Sequence, residues 1–204
     1  MSDASANSAQ VSPAAALARL VEGNARYVAN EPLERDFFAG RASRVLGQAP
    51  FAAILGCADS RVSPELAFDQ SPGDLFVVRV AGNFVTTEGL GSLEFGVAVL
   101  GVKLILVLGH SHCGAVNATV KALHEGNDLP GHIAELVHAM RPGIAPALNN
   151  PGEDLAQSAV IANVRHNVER LRQAGPILAD LVAKGELQVE GGVYDLATGK
   201  VNLL

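Results

Sequence analysis

Runs of consecutive apolar residues mark three segments of the chain that we predict to be buried strands. They span Phe51 to Leu55, Asp74 to Val80 and Lys103 to Gly109. An apolar run without alternation is typical of a strand that is covered on both faces, as in a parallel sheet. The first and third runs end at a glycine, which lets the chain turn away from the sheet.

Segments with helical periodicity lie before, between and after these strands. The first begins at Ser12 and Pro13, which suit a helix cap and a first turn, and extends to about Asn30. Because it precedes every strand, it cannot be a crossover and must lie over the domain or over another subunit. Further helical segments are predicted from Ser63, at 87–100, at 114–124, at 131–175 with breaks at 141–143 and 149–151, and at 176–184.

The end of the chain returns to strand character. Residues 186–194 alternate as a strand would, and a turn at 197–200 precedes a final short strand. Alternation of strands and helices predicts an α/β fold with a mainly parallel central sheet flanked by helices, an N-terminal helical arm and a C-terminal edge strand. We expect residues 1–11 to be disordered and residues 12–204 to form a single domain.

Composition narrows the classes of partner. The 204 residues carry a formal net charge of -6 and contain no run of Lys or Arg, so we expect no nucleic-acid partner. No apolar stretch reaches the length of about 18 residues that is needed to span a bilayer, so we expect no membrane association and a cytoplasmic location.

Polar residues with metal-binding chemistry follow two of the predicted strands. Cys57, Asp59 and Arg61 follow the first strand, and His110 and Cys113 follow the third. In parallel sheets, ligands bind outside the carboxyl ends of the strands, so these groups converge if the two strands are neighbours. Two thiolates and one imidazole predict a zinc site with an open fourth position, as catalytic zinc sites have. A disulfide between the only two cysteines is the alternative.

Two neighbouring side chains are candidates for the fourth position. His112 directly precedes Cys113, so its side chain should project away from the metal, and the histidines at 124, 132, 138 and 166 lie on predicted helices. Asp59 can reach the metal, or it can pair with Arg61 and stay ionised to accept a hydrogen bond from metal-bound water. On the metal it would displace that water, giving a closed, inactive state. Hydroxide binds zinc better than water does, so raising the pH strengthens the group that competes with Asp59 for the metal. Activity should therefore rise with pH through the neutral to mildly alkaline range.

The pairing of Cys57-Ala-Asp-Ser-Arg61 with His110-Ser-His-Cys113, together with the segment 73–83, resembles the β-class carbonic anhydrases. The resemblance implies one zinc ion per chain on Cys57, His110 and Cys113, with Asp59 and Arg61 as the catalytic dyad. The implied reaction is reversible hydration of carbon dioxide to bicarbonate and a proton, with zinc-bound hydroxide as the nucleophile. A homodimer or homotetramer is also implied.

Further expectations concern the substrate pocket. The backbone N–H of Gly114 starts a predicted helix and could meet a bicarbonate oxygen. Plant members have a substrate-contacting Gln directly before the Pro-Gly turn, where this chain has Ser71, so the candidate here is Gln70, one place earlier. A regulatory bicarbonate site of another branch includes a Trp, and this chain has none.

Two other functions compete with carbon dioxide hydration. Hydrolysis of a carbon dioxide analogue, carbonyl sulfide or carbon disulfide, would use the same zinc chemistry in a differently shaped pocket. A non-catalytic zinc or redox-sensing module predicts instead a closed metal shell or a disulfide.

Overall fold

The structure is a computed structural model that describes residues 11–38, 40–127 and 129–204. The disorder expected for residues 1–11 therefore falls almost entirely outside the described residues. The helices are α1 (Pro13–Ala29), α2 (Arg41–Arg44), α3 (Pro64–Ala67), α4 (Thr87–Ala98), α5 (Gly114–Glu125), α6 (Ile133–Asn149), α7 (Leu155–Arg172) and α8 (Ile177–Ala183). The strands are β1 (Ala52–Gly56), β2 (Leu75–Arg79), β3 (Leu104–His110), β4 (Gln188–Tyr194) and β5 (Val201–Leu203).

The five strands form one sheet in the order β2-β1-β3-β4-β5. The first four are mutually parallel, and β5 pairs antiparallel to β4 at the edge. The predicted α/β fold is thus confirmed. Because the strand order reverses on either side of β1, the carboxyl ends of β1 and β3 border the crevice in which such sheets bind ligands.

Both faces of the sheet are covered, as the uninterrupted apolar runs predicted. Side chains alternate along β1, so Ala53 and Leu55 face one core while Ala52 and Ile54 face the other. The first core is closed by α4 to α8. The second is closed by α1 and the segment around α3.

Helix α1 lies over the chain's own sheet, which settles one of the alternatives left by the sequence. Ser12 caps it by accepting a hydrogen bond from the Ala15 N–H, and Ala16 and Leu20 are buried in the second core. Asn24 donates to two backbone carbonyls from α3 and the turn before β5. The helix is therefore held by packing and by polar contacts to distant parts of the chain.

The sequence prediction was wrong at residues 141–143, where the proline and glycine were expected to break a helix. The structure has one continuous helix, α6, with Pro142 inside it. Proline costs a helix hydrogen bond, but the same turn buries Ile144 and lets α7 approach closely. A Cβ at Gly143 would lie 3.1 Å from the Cβ of His166. Tertiary packing thus outweighs the local cost of the proline, while the break expected at 149–151 is present.

Helix α2 lies in the connector between α1 and β1, which spans residues 31–49. Within the described part of the chain, no helix is long and apolar enough to cross a membrane.

Candidate metal centre

Neighbouring strands bring the predicted ligands together. β1 and β3 pair in parallel with Gly56 opposite Leu108, so the residues that follow them emerge side by side. Cys57 is the first residue after β1, and His110 is the last residue of β3. Cys113 is the N-cap of α5. Their ligand atoms all lie within 4.8 Å of one another, with the two Sγ atoms 3.9 Å apart.

His110 is arranged as a ligand whose free nitrogen faces the cluster. Its Nδ1 lies 2.9 Å from the backbone oxygen of Ser111, and because a carbonyl can only accept, the proton sits on Nδ1. This leaves the lone pair on Nε2. Nε2 is buried and has no hydrogen-bond partner among the described residues. A buried imidazole nitrogen without a partner is costly unless another group, such as a metal ion, meets it.

The two thiols cannot both be ionised without a high energetic cost unless a cation is present. The Cys113 side chain, hydrogen-bonded to Cys57, lowers the pKa of Cys57 well below its usual range, and contacts from His110 and the Gly82 N–H add to this despite burial. The same contact with Cys57, together with burial, raises the pKa of Cys113 far above its usual range. One sulfur thus carries the charge at the expense of the other. A divalent cation would remove this conflict, because both sulfurs could then bind it as thiolates.

Asp59 is paired with Arg61 beside the cluster. The guanidinium makes two parallel contacts with the carboxylate, 2.9 Å from Nε to Oδ1 and 2.7 Å from Nη2 to Oδ2, and the Arg61 N–H also donates to Oδ1. Hydrogen bonding by Arg61 holds the pKa of Asp59 well below its usual range. The carboxylate is therefore ionised, and its Oδ2 lies 3.8 Å from Nε2 of His110.

Arg61 also links the two strand ends. Its Nη2 donates to the backbone oxygen of His112 at 3.3 Å. His112 has a positive φ of 54°, and its side chain is exposed. The backbone of His112 thus contributes to the site through its carbonyl group, while its imidazole is absent from the ligand cluster, as expected.

Arg79 holds the loop that carries Cys57 and Asp59, a role that the sequence reasoning missed. At the end of β2, its guanidinium donates to the backbone oxygens of Cys57, Asp59 and Val62 at distances from 2.7 to 2.9 Å. These contacts fix the backbone on both sides of the carboxylate. The available signal was a charged residue at the end of a buried strand, but its partners are main-chain atoms that have no sequence signature.

The two substrate candidates lie in different surroundings. Gly114 is the first residue of α5, so its N–H belongs to the helix N-terminus next to Cys113. The Gln70 side chain is buried, where it accepts from Nε of Arg19 on α1 and donates to the backbone oxygen of Phe68. Its hydrogen bonds are thus with α1 and the end of α3, and it is not among the residues gathered at the cluster.

The donor set fits zinc. The ligands are two buried sulfurs and one imidazole with its lone pair directed inward. These ligand types match zinc sites that have three protein ligands and an open fourth position. Both cysteines are free, so the disulfide alternative is not adopted in this structure.

Comparisons with known proteins agree with this geometry. A model of the carbonic anhydrase family matches residues 52–201, a range that contains every ligand of the cluster. The carbonic anhydrase of Mycolicibacterium smegmatis is 41% identical over 192 residues, which are 94% of this chain and 93% of the relative.

Solved structures of β-carbonic anhydrases are similar as well. The Coccomyxa enzyme in complex with acetazolamide has a TM-score of 0.69 and 33% identity, with 82% of this chain and 76% of that chain covered. The β-carbonic anhydrase CcaA has a TM-score of 0.74 and 27% identity, with 92% and 91% covered.

Proposed function

Because the chain belongs to the β-class carbonic anhydrase family, we propose that it hydrates carbon dioxide reversibly to bicarbonate and a proton, with one zinc ion held by Cys57, His110 and Cys113. The observation that carries this proposal is the buried Cys-His-Cys cluster next to the Asp59 carboxylate, which is paired with Arg61. A zinc ion bound there supplies Lewis acidity, which can lower the pKa of a bound water molecule to about 7.

In this proposal, the chain's own residues orient the reactants. Asp59 is the hydrogen-bond acceptor beside the three ligands, with its Oδ2 3.8 Å from Nε2 of His110, and it stays ionised because its pairing with Arg61 stabilises the charged form. An ionised carboxylate can accept a hydrogen bond but cannot donate one. The group that lies next to Asp59 in the site must therefore be a hydrogen-bond donor. Arg61 holds the carboxylate in a bidentate pair, so Asp59 would not be free to bind a metal ion held by the three ligands.

Binding of the product has two candidate contributors. The Gly114 N–H lies at the N-terminus of α5, where backbone donors and the helix dipole favour an anion such as bicarbonate. Gln70 is the second candidate, but its present hydrogen bonds are made with Arg19 and Phe68, so a contact with substrate would require these bonds to be exchanged.

The proposal is tested by stopped-flow measurement of carbon dioxide hydration on protein of known zinc content, alongside hydrolysis of carbonyl sulfide. We expect fast hydration and slow sulfide release. Efficient hydrolysis of carbonyl sulfide with weak hydration would assign the chain to the analogue hydrolases instead. Loss of both activities in zinc-loaded protein would favour a non-catalytic module.

We further propose that the chain forms a homodimer or homotetramer. Gly91 and Phe95 of α4 and its C-cap residue Val99 follow one another at helical spacing, and both large side chains are exposed. A Cβ at Gly91 would meet nothing within 4 Å in the single chain, which leaves room for a second subunit. Light scattering should give a dimer or tetramer that Phe95→Glu weakens, whereas a fully active monomer would contradict the proposal. The cytoplasmic location stays a prediction.

A further inference from the structure

Helix α7 is linked to Cys57 through a single residue, Gly82. The backbone N–H of Gly82, just after β2, donates to Sγ of Cys57 at 3.3 Å. The carbonyl oxygen of the same residue accepts a hydrogen bond of 2.8 Å from Nδ2 of Asn163 on α7. Asn163 is fully buried. A side chain on a distant helix thus holds the residue whose N–H points at the cysteine sulfur.

The neighbouring residues of α7 brace the same segment. Asn167 accepts from the backbone N–H of Val85 at 2.8 Å, and it donates to the Asn163 backbone oxygen at 2.8 Å. Arg170 donates to the backbone oxygen of Val85 at 3.2 Å. The positions 163, 167 and 170 fall on one face of the helix. One face of α7 therefore fixes both ends of the segment 82–85.

Close packing leaves this arrangement little freedom to shift. A Cβ at Gly82 would lie 2.2 Å from Sδ of Met140, and a Cβ at Gly109 would lie 2.6 Å from Cγ2 of Val164. A Cβ at Gly143 would lie 3.2 Å from Oδ1 of Asn163. Gly109 and Gly143 admit α7 and its asparagine, and Gly82 admits Met140 of α6, at distances that larger residues would prevent. A change at Asn163 is therefore transmitted to the backbone of Gly82.

We infer that Asn163 is a positioning residue for the metal centre, acting through the backbone of Gly82 to keep a hydrogen bond on the Cys57 thiolate. A donor at a thiolate withdraws electron density from the sulfur, so it offsets part of the charge that two thiolates give to the metal. The inference rests on the proposed zinc site. It adds a contact from outside the ligand set that orients Cys57 and tunes the sulfur.

The test compares Asn163→Ala and the nearly isosteric Asn163→Leu with Asn24→Ala. Asn24 is a matched control, because it is also buried and holds two backbone carbonyls, but on α1. Zinc affinity is measured by competition with a chelator, and the sulfur-to-metal charge-transfer band is recorded on the cobalt(II)-loaded protein.

We expect about tenfold weaker zinc binding in the Asn163 variants, the lower end of what loss of an outer hydrogen bond costs a metal site. The charge-transfer band should move to longer wavelength, because a sulfur without its donor gives up electrons more easily. Asn24→Ala should lose stability while keeping the zinc affinity and the band of the parent protein. Asn163 variants that are less stable but keep both properties would overturn the inference.

A measurement on the unchanged protein covers the case in which neither Asn163 variant folds. In protein loaded with ¹¹³Cd, a hydrogen bond from the Gly82 N–H to the ligating sulfur should transmit a scalar coupling between that proton and the metal. Absence of this coupling would contradict the inference. Failure of the parent protein to bind zinc or cadmium at all would instead remove the proposed function on which it rests.

Discussion

Two clusters of buried ionisable groups in this protein differ in whether the chain satisfies them by itself. In the Asp69 cluster, a buried carboxylate accepts hydrogen bonds from Nε of Arg26 at 2.6 Å, from Arg35 and from the backbone N–H of Leu33. Burial raises the pKa of Asp69, but the two arginines outweigh it, so the net shift is downward. Both oxygens are paired, and the cluster ties α1 and the connector to the end of α3.

The cluster of Cys57, His110 and Cys113 lacks this balance. Its two sulfurs compete for one charge, and His110 Nε2 is one of only two buried side-chain polar atoms that have no partner among the described residues. Its one carboxylate, Asp59, is already paired with Arg61. A cluster whose polar groups are all paired within the chain stabilises the fold. A cluster with two competing sulfurs and a buried imidazole nitrogen that has no partner is instead suited to binding a ligand.

The largest effect is expected when the two cysteine ligands are removed. In the double variant Cys57→Ser, Cys113→Ser, zinc content should fall from about one ion per chain to near zero, because a lone imidazole holds zinc weakly. Elemental analysis measures this. Asp69→Asn is the matched control and should keep its zinc. Full occupancy in the double variant would refute the ligand assignment.

Removal of Arg61 should abolish most activity without removing the metal. In Arg61→Ala, Asp59 loses the partner that orients it, so we expect carbon dioxide hydration to fall about 100-fold with zinc retained, a typical share for a positioned proton acceptor. Stopped-flow assays across the neutral to alkaline range measure this.

The control for Arg61 is another exposed pair of the same type. Arg172 lies 3.7 Å from Glu190, and its side chain is 40% exposed against 53% for Arg61. Arg172→Ala should keep activity within about twofold, because exposed ion pairs contribute little. If Arg61→Ala retains nearly full activity as well, the dyad has no catalytic role in this protein.

Asp69→Asn should affect stability rather than catalysis. Asparagine tolerates the positive φ of 46° at this position, so the backbone can stay in place. Removing the charge leaves two arginines facing a neutral group, and we expect a loss of about 3 kcal/mol in the free energy of unfolding. Urea titration gives this value. Zinc content and activity per folded molecule should match the parent, and a clear loss of zinc would show that the two clusters are coupled.

The pH dependence of stability gives the finest comparison. The folded-state pKa of Asp69 is below its unfolded value, so its contribution is present above the unfolded pKa and is lost as pH falls through the folded value. Below about pH 4, the parent protein should therefore lose unfolding free energy more steeply than Asp69→Asn. Parallel curves for the two proteins would show that the Asp69 charge contributes nothing to stability.

The sequence predicted the Cys-His-Cys cluster and the sheet more readily than the contacts that support them. Continuous apolar runs identify β1 and β3 because burial on both faces leaves no polar positions, and the only two cysteines follow these strands. Ligands bind outside the carboxyl ends of parallel strands, so the ends of β1 and β3 were expected to meet there, which predicts that Cys57 lies next to His110.

The remaining contacts depend on long-range geometry. Arg79 and Asn163 bind main-chain carbonyls, which every residue has, so no residue pattern identifies their partners. Asp69 meets Arg35 across the fold, and Pro142 remains inside α6 because α7 packs against that turn. Local pattern predicts none of these, because the stabilising partner lies far along the chain.

The central claim is most directly tested by titrating zinc into metal-free protein while carbon dioxide hydration is followed by stopped flow. We predict no hydration above background without metal, a linear rise with added zinc, and saturation at about one zinc ion per chain. Full hydration activity in the metal-free protein would contradict the account, as would zinc that binds at this ratio without restoring hydration.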